Sequence, residues 1–153
     1  MFKAFVLHNE DNQLTAGIQQ LNDIDLPKGN VEVAIDFSSL NYKDALAITG
    51  KGQVIRSFPM VPGIDFVGTI TSSSDSRYQQ GNQVVLTGYG VGEKHWGGMA
   101  EKAKVNADWL VPLVDGLDSQ QAMQIGTAGL TAMLSVMAIE EAGMTHEQGE
   151  VLV

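Results

Sequence analysis

The sequence predicts a mainly β chain that ends in helices. Two observations carry this reading. Through residues 1–115, short apolar runs recur at intervals of roughly ten to fifteen residues, broken by Gly and Pro, which is the rhythm of a barrel or sandwich. Beyond residue 115 the period changes. Leu130, Met133, Leu134, Met137 and Ala138 fall at i, i+3, i+4, i+7 and i+8, one apolar stripe on a helix.

The elements follow in order. Phe2 to Leu7 is an apolar strand closed by the polar run His8 to Asp11, and Leu14 to Leu21 alternates weakly enough to pair with it as a hairpin. Pro27, Gly29 and Asn30 make a turn. Val31 to Phe37 sets Val31, Val33, Ile35 and Phe37 against Glu32, Ala34 and Asp36, a half-buried strand. Tyr42 to Ile48 predicts one or two helical turns, stopped at Thr49-Gly50. Pro59, Pro62 and Gly63 deliver the chain into a strand over Phe66 to Thr71. Gln83 to Thr87 is another strand, Gly88 to Gly98 with its five glycines is loop, and Met99 to Val105 and Trp109 to Val114 add two weaker strands. Asp118 and Gln121 form a capping pair for a helix over Ser119 to Ile125. Gly126 interrupts, the apolar helix follows, and Gly143 is its expected C′ residue. A β-rich half, then a helix, then the β-branched run Val151 to Val153 is how a parallel α/β domain begins, so the chain is expected to be part of a longer protein.

Composition narrows the function classes. The 153 residues are 44% hydrophobic and 18% charged, ordinary for a soluble globular chain, so the expected location is cytoplasmic. There is no cysteine, which removes disulfides, a thiol nucleophile and thiolate zinc sites. A net charge of −9 argues against nucleic acid, whose phosphates would repel such a surface. No apolar run is expected to reach the ~20 residues that span a bilayer, and the N-terminus lacks the pattern of a signal peptide. His8, His95 and His146 are scattered without ligand spacing, so no metal site is expected.

The chemistry concentrates in Ser38 to Gly68. Asn41, Tyr42, Lys43 and Asp44 place four chemically able side chains between a strand and a helix. Lys43, Lys51 and Arg56 put three of the nine basic residues into one short stretch of an acidic chain. This suggests a pocket for a small anion such as a phosphate-bearing ligand; the alternative is a solvated loop with ordinary surface cations. The GYGVGEKHWGG run is not a phosphate loop, because it joins strand to strand and misses the G-x-G-x-x-G spacing. It reads instead as a mobile flap over a substrate, with Trp96 as an apolar wall.

The runs SSLNYKDALAITGKG, FPMVPGIDFVGTI, VVLTGYGVGEKHWGGMAE, IGTAGLTAMLSVMA and GEVLV are together specific. The chain resembles the N-terminal part of medium-chain dehydrogenase/reductases, in the zinc-free quinone-oxidoreductase branch of the acryloyl-CoA reductase type. The resemblance implies a GroES-like β-barrel over residues 1–125, followed by the linking helix and first strand of a Rossmann-type α/β domain over 126–153. It implies a zinc-independent NADPH-dependent reductase that moves hydride to the β-carbon of an α,β-unsaturated acyl-CoA or enone. The main phosphate site would lie outside this chain, which alone is expected to be inactive. A quinone reductase and a non-catalytic GroES-like binding or assembly module are the alternatives. The small-molecule substrate would be an acyl-CoA, an enone or a quinone, and the full-length enzyme could be a homodimer.

The resemblance also implies residue roles. Asn41 and Tyr42 would lie beside the nicotinamide, the amide fixing the ring and the phenol presenting an O–H near the reacting carbon. Lys43 could hold a phosphate or polarise a carbonyl, with Asp44 orienting it, or could be a surface ion pair. Asp65 could point into the cleft, or, the favoured role, accept the turn amides after Pro62. Thr127 would approach the nicotinamide while serving the N-terminus of the long helix. Tyr42 and Lys43 are therefore the catalytic candidates, and Asn41, Tyr42 and Thr127 the cofactor-binding ones.

Overall fold

The computed structural model describes residues 1–11 and 13–149. The strand expected over Val151 to Val153 lies outside the described residues. Strands β1 (Phe2–Glu10) and β2 (Gln13–Leu21) form an antiparallel hairpin. Strands β3 (Val31–Ser38), β4 (Asp65–Ser73), β5 (Gln83–Thr87), β6 (Lys102–Val105) and β7 (Val111–Pro112) form a second antiparallel sheet in the order β6-β3-β4-β5-β7. Helix α1 (Tyr42–Thr49) lies between β3 and β4, and α2 (Ser119–Glu141) follows the last strand. The mainly β architecture with C-terminal helices is as the sequence predicts.

The two sheets join through single bridges. The Leu7 amide donates to the Met60 carbonyl at 2.7 Å and the return bond is 2.9 Å; the Phe5 amide donates to Met99 at 2.8 Å. Inside the larger sheet, Val31, Val33, Phe66, Ile70, Val84, Leu86 and Val105 close one core. A smaller core holds Phe2, Ala4, Val6 and Val61, with Trp96 against it. The alternation along β4 is complete: Phe66 points into the first core, while Val67 is buried on the other face under Ala122 and Met123 of α2. That contact fixes where α2 starts relative to the sheet.

Two local departures have clear causes. Phe37 is 46% exposed, although its place in the β3 alternation predicts burial. The β3–β4 register shifts between Ile35 and Phe37, and such a bulge moves the following side chains to the other face. The strand expected from Met99 is shorter, starting at Lys102, because the Met99 amide is spent on Pro62 rather than on a ladder. At the other end of α1, Gly50 adopts φ 67° and closes the helix in the left-handed conformation that favours glycine.

Helix α2 is two segments. Gly126 sits at φ 49° and ψ −160°, so the helix breaks there as expected from the sequence. The expectation that no apolar run approaches membrane-spanning length needs correction: Ser119–Glu141 is 23 residues, long and apolar enough by length and composition. Counting charges shows why, since none occurs between Ser119 and Ile139.

Candidate active site

Four segments meet where α1 and the second half of α2 begin. The first is the Ser38–Asn41 turn, which leaves β3. The second is the first turn of α1. The third is the Pro62–Asp65 entry to β4, and the fourth is the break at Gly126–Thr127.

Two buried aspartates hold them together. Asp44 is 1% exposed. Its Oδ1 accepts the Gly63 and Ile64 amides, both at 3.1 Å, and its Oδ2 accepts the Asn41 amide at 2.9 Å. Burial pushes the Asp44 carboxyl above its usual range, and the three backbone amides pull against that shift without cancelling it. Asp65 is fully buried. Its Oδ2 accepts the Ser39 hydroxyl at 2.6 Å, the Asn41 Nδ2 at 3.0 Å and the Thr127 amide at 2.8 Å. Its Oδ1 accepts the Thr127 hydroxyl.

These contacts change two expected roles. Asp44, not Asp65, accepts the turn amides that follow Pro62. Asp44 therefore does not orient Lys43; it is turned inward and spent on the backbone. Asp65 ties the β3–α1 turn to α2. Thr127 donates its hydroxyl proton to Asp65, so Asp65 serves the amide at this helix start and Thr127 does not cap its own segment. Gly126 makes the approach possible. A Cβ there would meet Ser39 Oγ at 2.9 Å and Asp65 Oδ2 at 3.0 Å, and φ 49° is a conformation that favours glycine.

The structure places the predicted site residues in two groups. Asn41 and Thr127 are brought together, each within hydrogen-bond reach of one Asp65 oxygen. Tyr42 opens α1 with its ring outward, 81% exposed, and no side-chain hydrogen bond forms to it among the described residues. Lys43 lies on the surface, where Nζ meets Glu93 at 2.6 Å. Arg56 approaches the same carboxylate at 3.9 Å. The Lys43 ammonium beside Glu93 holds that carboxyl below its ordinary range. Two of the three clustered cations thus share one anion. A cavity of about 420 Å³ beside α1 is lined by Arg56, Ala47, Gly50 and Phe58, but not by Lys43 or Lys51.

The glycine loop is not a free flap. The Gly97 amide donates to Val61 at 2.7 Å, Gly98 to Gly63 at 2.8 Å and Met99 to Pro62 at 2.9 Å, a short ladder against the same turn that Asp44 holds. Trp96 donates Nε1 to the Pro59 carbonyl at 3.0 Å and packs on the hairpin core. Its described contacts are this hydrogen bond and the packing on the hairpin. His8 bonds Gln19 and His95 bonds the Lys104 carbonyl. The residues to which sequence reasoning gave the wrong partners are Asp44 and Asp65. Their signal was the pairing of two aspartates with two candidate amide sets, which pattern alone does not resolve.

A two-sheet β structure with an inserted helix after β3 and a broken helix against β4 is the GroES-like domain architecture. Residues 27–115 match the model of the alcohol dehydrogenase GroES-like domain, and the chain belongs to that family, within the medium-chain dehydrogenase/reductases. The chain is 56% identical over 151 residues to the probable acrylyl-CoA reductase AcuI of Escherichia coli (strain K12), covering 99% of this chain and 47% of that protein. It is 40% identical over 153 residues to the putative quinone oxidoreductase YhfP of Bacillus subtilis (strain 168), covering 100% of this chain and 46% of that protein. Among solved structures it is similar to the yhdH oxidoreductase of Salmonella enterica in complex with NADP, with a TM-score of 0.93 and 57% identity over 96% of this chain and 45% of that one. The chain spans about half the length of the curated relatives it matches.

Proposed function

We propose that the chain is the GroES-like half of a zinc-independent, NADPH-dependent reductase acting on an α,β-unsaturated acyl-CoA of the acryloyl-CoA kind. The observation that carries this is the 56% identity to an acrylyl-CoA reductase across nearly the whole chain. The geometry fits a nicotinamide in one respect: Asn41 and Thr127, far apart in sequence, are fixed side by side on one buried carboxylate.

NADPH, when bound, would supply the hydride. This chain would supply position and charge. Reduction at the β-carbon puts negative charge on the thioester oxygen, which needs a donor until the α-carbon takes a proton. Tyr42 is the donor we assign, since its hydroxyl is exposed and uncommitted to any described residue. Lys43 is the second candidate, and its service requires Glu93 to release it. Asn41 and Thr127 hold the ring. The sequence carries no G-x-G-x-x-G run, so the phosphates would be held by residues outside these 153, and the 153 residues alone should neither bind NADPH at micromolar concentration nor turn over.

Replacing Tyr42 by Phe in the full-length enzyme is expected to lower kcat at least tenfold, about 1.4 kcal/mol of barrier. An unchanged kcat removes Tyr42 from the chemistry. The likeness to a putative quinone oxidoreductase favours a second reading, in which the acceptor is a quinone. Comparing kcat/KM for acryloyl-CoA with that for small quinones decides between them. Absence of turnover with both, in a full-length protein that also ignores NADPH, would leave a non-catalytic binding module.

A further inference from the structure

Asp65 is a fully buried carboxylate that the proposed reaction does not consume. Four donors from two segments converge on it: the Ser39 hydroxyl and the Asn41 amide group of the β3–α1 turn, and both the amide and the hydroxyl of Thr127 at the α2 break. Every donor points at the carboxylate, and it reaches none of the turn amides that Asp44 takes. A stability role alone would be met by any acceptor that satisfied these donors, whatever their directions. A four-donor anion does more, because it fixes directions. The Thr127 hydroxyl has one proton, and it goes to Asp65. Toward a ligand, Thr127 then offers lone pairs and its methyl group. The Asn41 amide nitrogen is likewise committed, to Asp65 and to Ser39 Oγ at 3.3 Å.

We propose that Asp65 is a positioning residue: its carboxylate locks Asn41 and Thr127 into one orientation and so sets the attitude of the nicotinamide ring across the β3–α1 turn and the α2 break. The inference rests on the reading of the protein as an NADPH-dependent reductase. It differs from a structural role in what it moves. A tilted ring slows hydride transfer but leaves the grip on the cofactor's phosphate end unchanged, because that grip lies elsewhere.

The test is Asp65→Asn in the full-length enzyme. Asparagine keeps the shape but puts a donor NH2 against the donors of Thr127 or Asn41. Three readouts are taken: kcat with NADPH, the kinetic isotope effect with NADPH deuterated at C4, and the Kd of 2′,5′-ADP, which probes the phosphate end alone. The expected result is a kcat lower by at least ~10-fold, an isotope effect that rises as hydride transfer becomes rate-limiting, and a 2′,5′-ADP Kd within ~2-fold of the parent. An unchanged kcat and isotope effect overturn the proposal, and so does a loss of 2′,5′-ADP binding in step with kcat. Should Asp65→Asn not fold, Ser39→Ala carries the test, because it removes a donor to Asp65 and the Asn41 brace without removing a group assigned to the ring. A raised isotope effect with the 2′,5′-ADP Kd within ~2-fold of the parent is expected; an unchanged isotope effect overturns the proposal. A parent enzyme that neither binds 2′,5′-ADP nor oxidises NADPH removes the functional reading itself, and this inference with it.

Discussion

Asp44 and Asp65 are both buried, and their partners differ in kind. Asp44 accepts three backbone amides, and Asp65 takes three of its four hydrogen bonds from side-chain groups. Asp44→Asn is therefore expected to unfold more easily by about 1–3 kcal/mol, because one amide among Asn41, Gly63 and Ile64 must then face an NH2 group. Denaturant titration at neutral pH checks this. The pH dependence has a definite sign. The folded Asp44 carboxyl is pushed above its unfolded value, so the folded state holds its proton more tightly. Its contribution to stability is full below the unfolded value and is lost as pH rises through the folded one. In the parent, this part of the stability should decline above about pH 4, and in Asp44→Asn the decline should vanish. A parent and variant with parallel stability–pH curves would show that Asp44 does not titrate differently on folding. Glu93 has the opposite sign: its folded value is lowered by Lys43, so its contribution is lost as pH falls. Both ends of that pair are partly exposed, and Lys43→Ala should cost no more than about 1 kcal/mol in thermal or chemical unfolding. At this scale the sequence was only partly legible. Asn41, Tyr42 and Thr127 stood out by type and motif. Which aspartate served which partners depended on the path of the chain between them, and the Lys43–Glu93 contact joins positions fifty residues apart.

At the scale of elements, the break in α2 matters most. The run Ser119 to Ile125 is capped by Asp118, whose carboxylate accepts the Gln121 amide at 2.7 Å, and is anchored by Ala122 and Met123 under β4. Beyond Gly126 the helix restarts with Thr127 held by Asp65. Gly126→Ala is expected to lower stability by about 1–3 kcal/mol, since alanine is strained at φ 49° and its methyl crowds Ser39 and Asp65. The same substitution should also reduce kcat in the full-length enzyme, because it presses on the Asp65 bridge. Melting curves and steady-state rates measure the two effects separately; an alanine variant as stable as the parent would mean that the break tolerates a side chain. The elements themselves were well marked in the sequence. The Gly50 stop, the β5 boundaries and the Gly126 interruption all follow from local chemistry. What local chemistry does not carry is tertiary pairing. The glycine loop reads as free because its glycines invite mobility, yet its last two amides, Gly97 and Gly98, and the Met99 amide that follows are paired with the Val61–Gly63 segment. The β3 bulge escaped for the same reason: alternation continues in the sequence while the register to β4 shifts.

For the whole molecule, the uneven distribution of apolar surface is the main physical fact. The cores lie within and between the two sheets, and the first segment of α2 shares one of them. The second segment does not. Leu130 is 46% exposed, Met133 and Leu134 55% and Met137 51%, all on the stripe whose spacing predicts burial. The periodicity was read correctly as helix, but periodicity reports a face and not what covers it. These side chains contribute little to the stability of the 153-residue chain, because burial, not possession, of apolar area stabilises. Replacing Leu130 and Leu134 together by Lys should then leave the melting temperature of this chain within about 2 °C of the parent, since surface changes away from packed features fall within ~0.5 kcal/mol. The same change should reduce binding of a hydrophobic dye and concentration-dependent association, by removing the centre of an exposed apolar patch. In the full-length enzyme the outcome should reverse if a further domain packs on this face: there the double substitution would bury two unpaired charges and cost several kcal/mol. Equal melting shifts in the two proteins would show that the stripe is solvent-facing in both, and that its apolar character serves neither folding nor assembly.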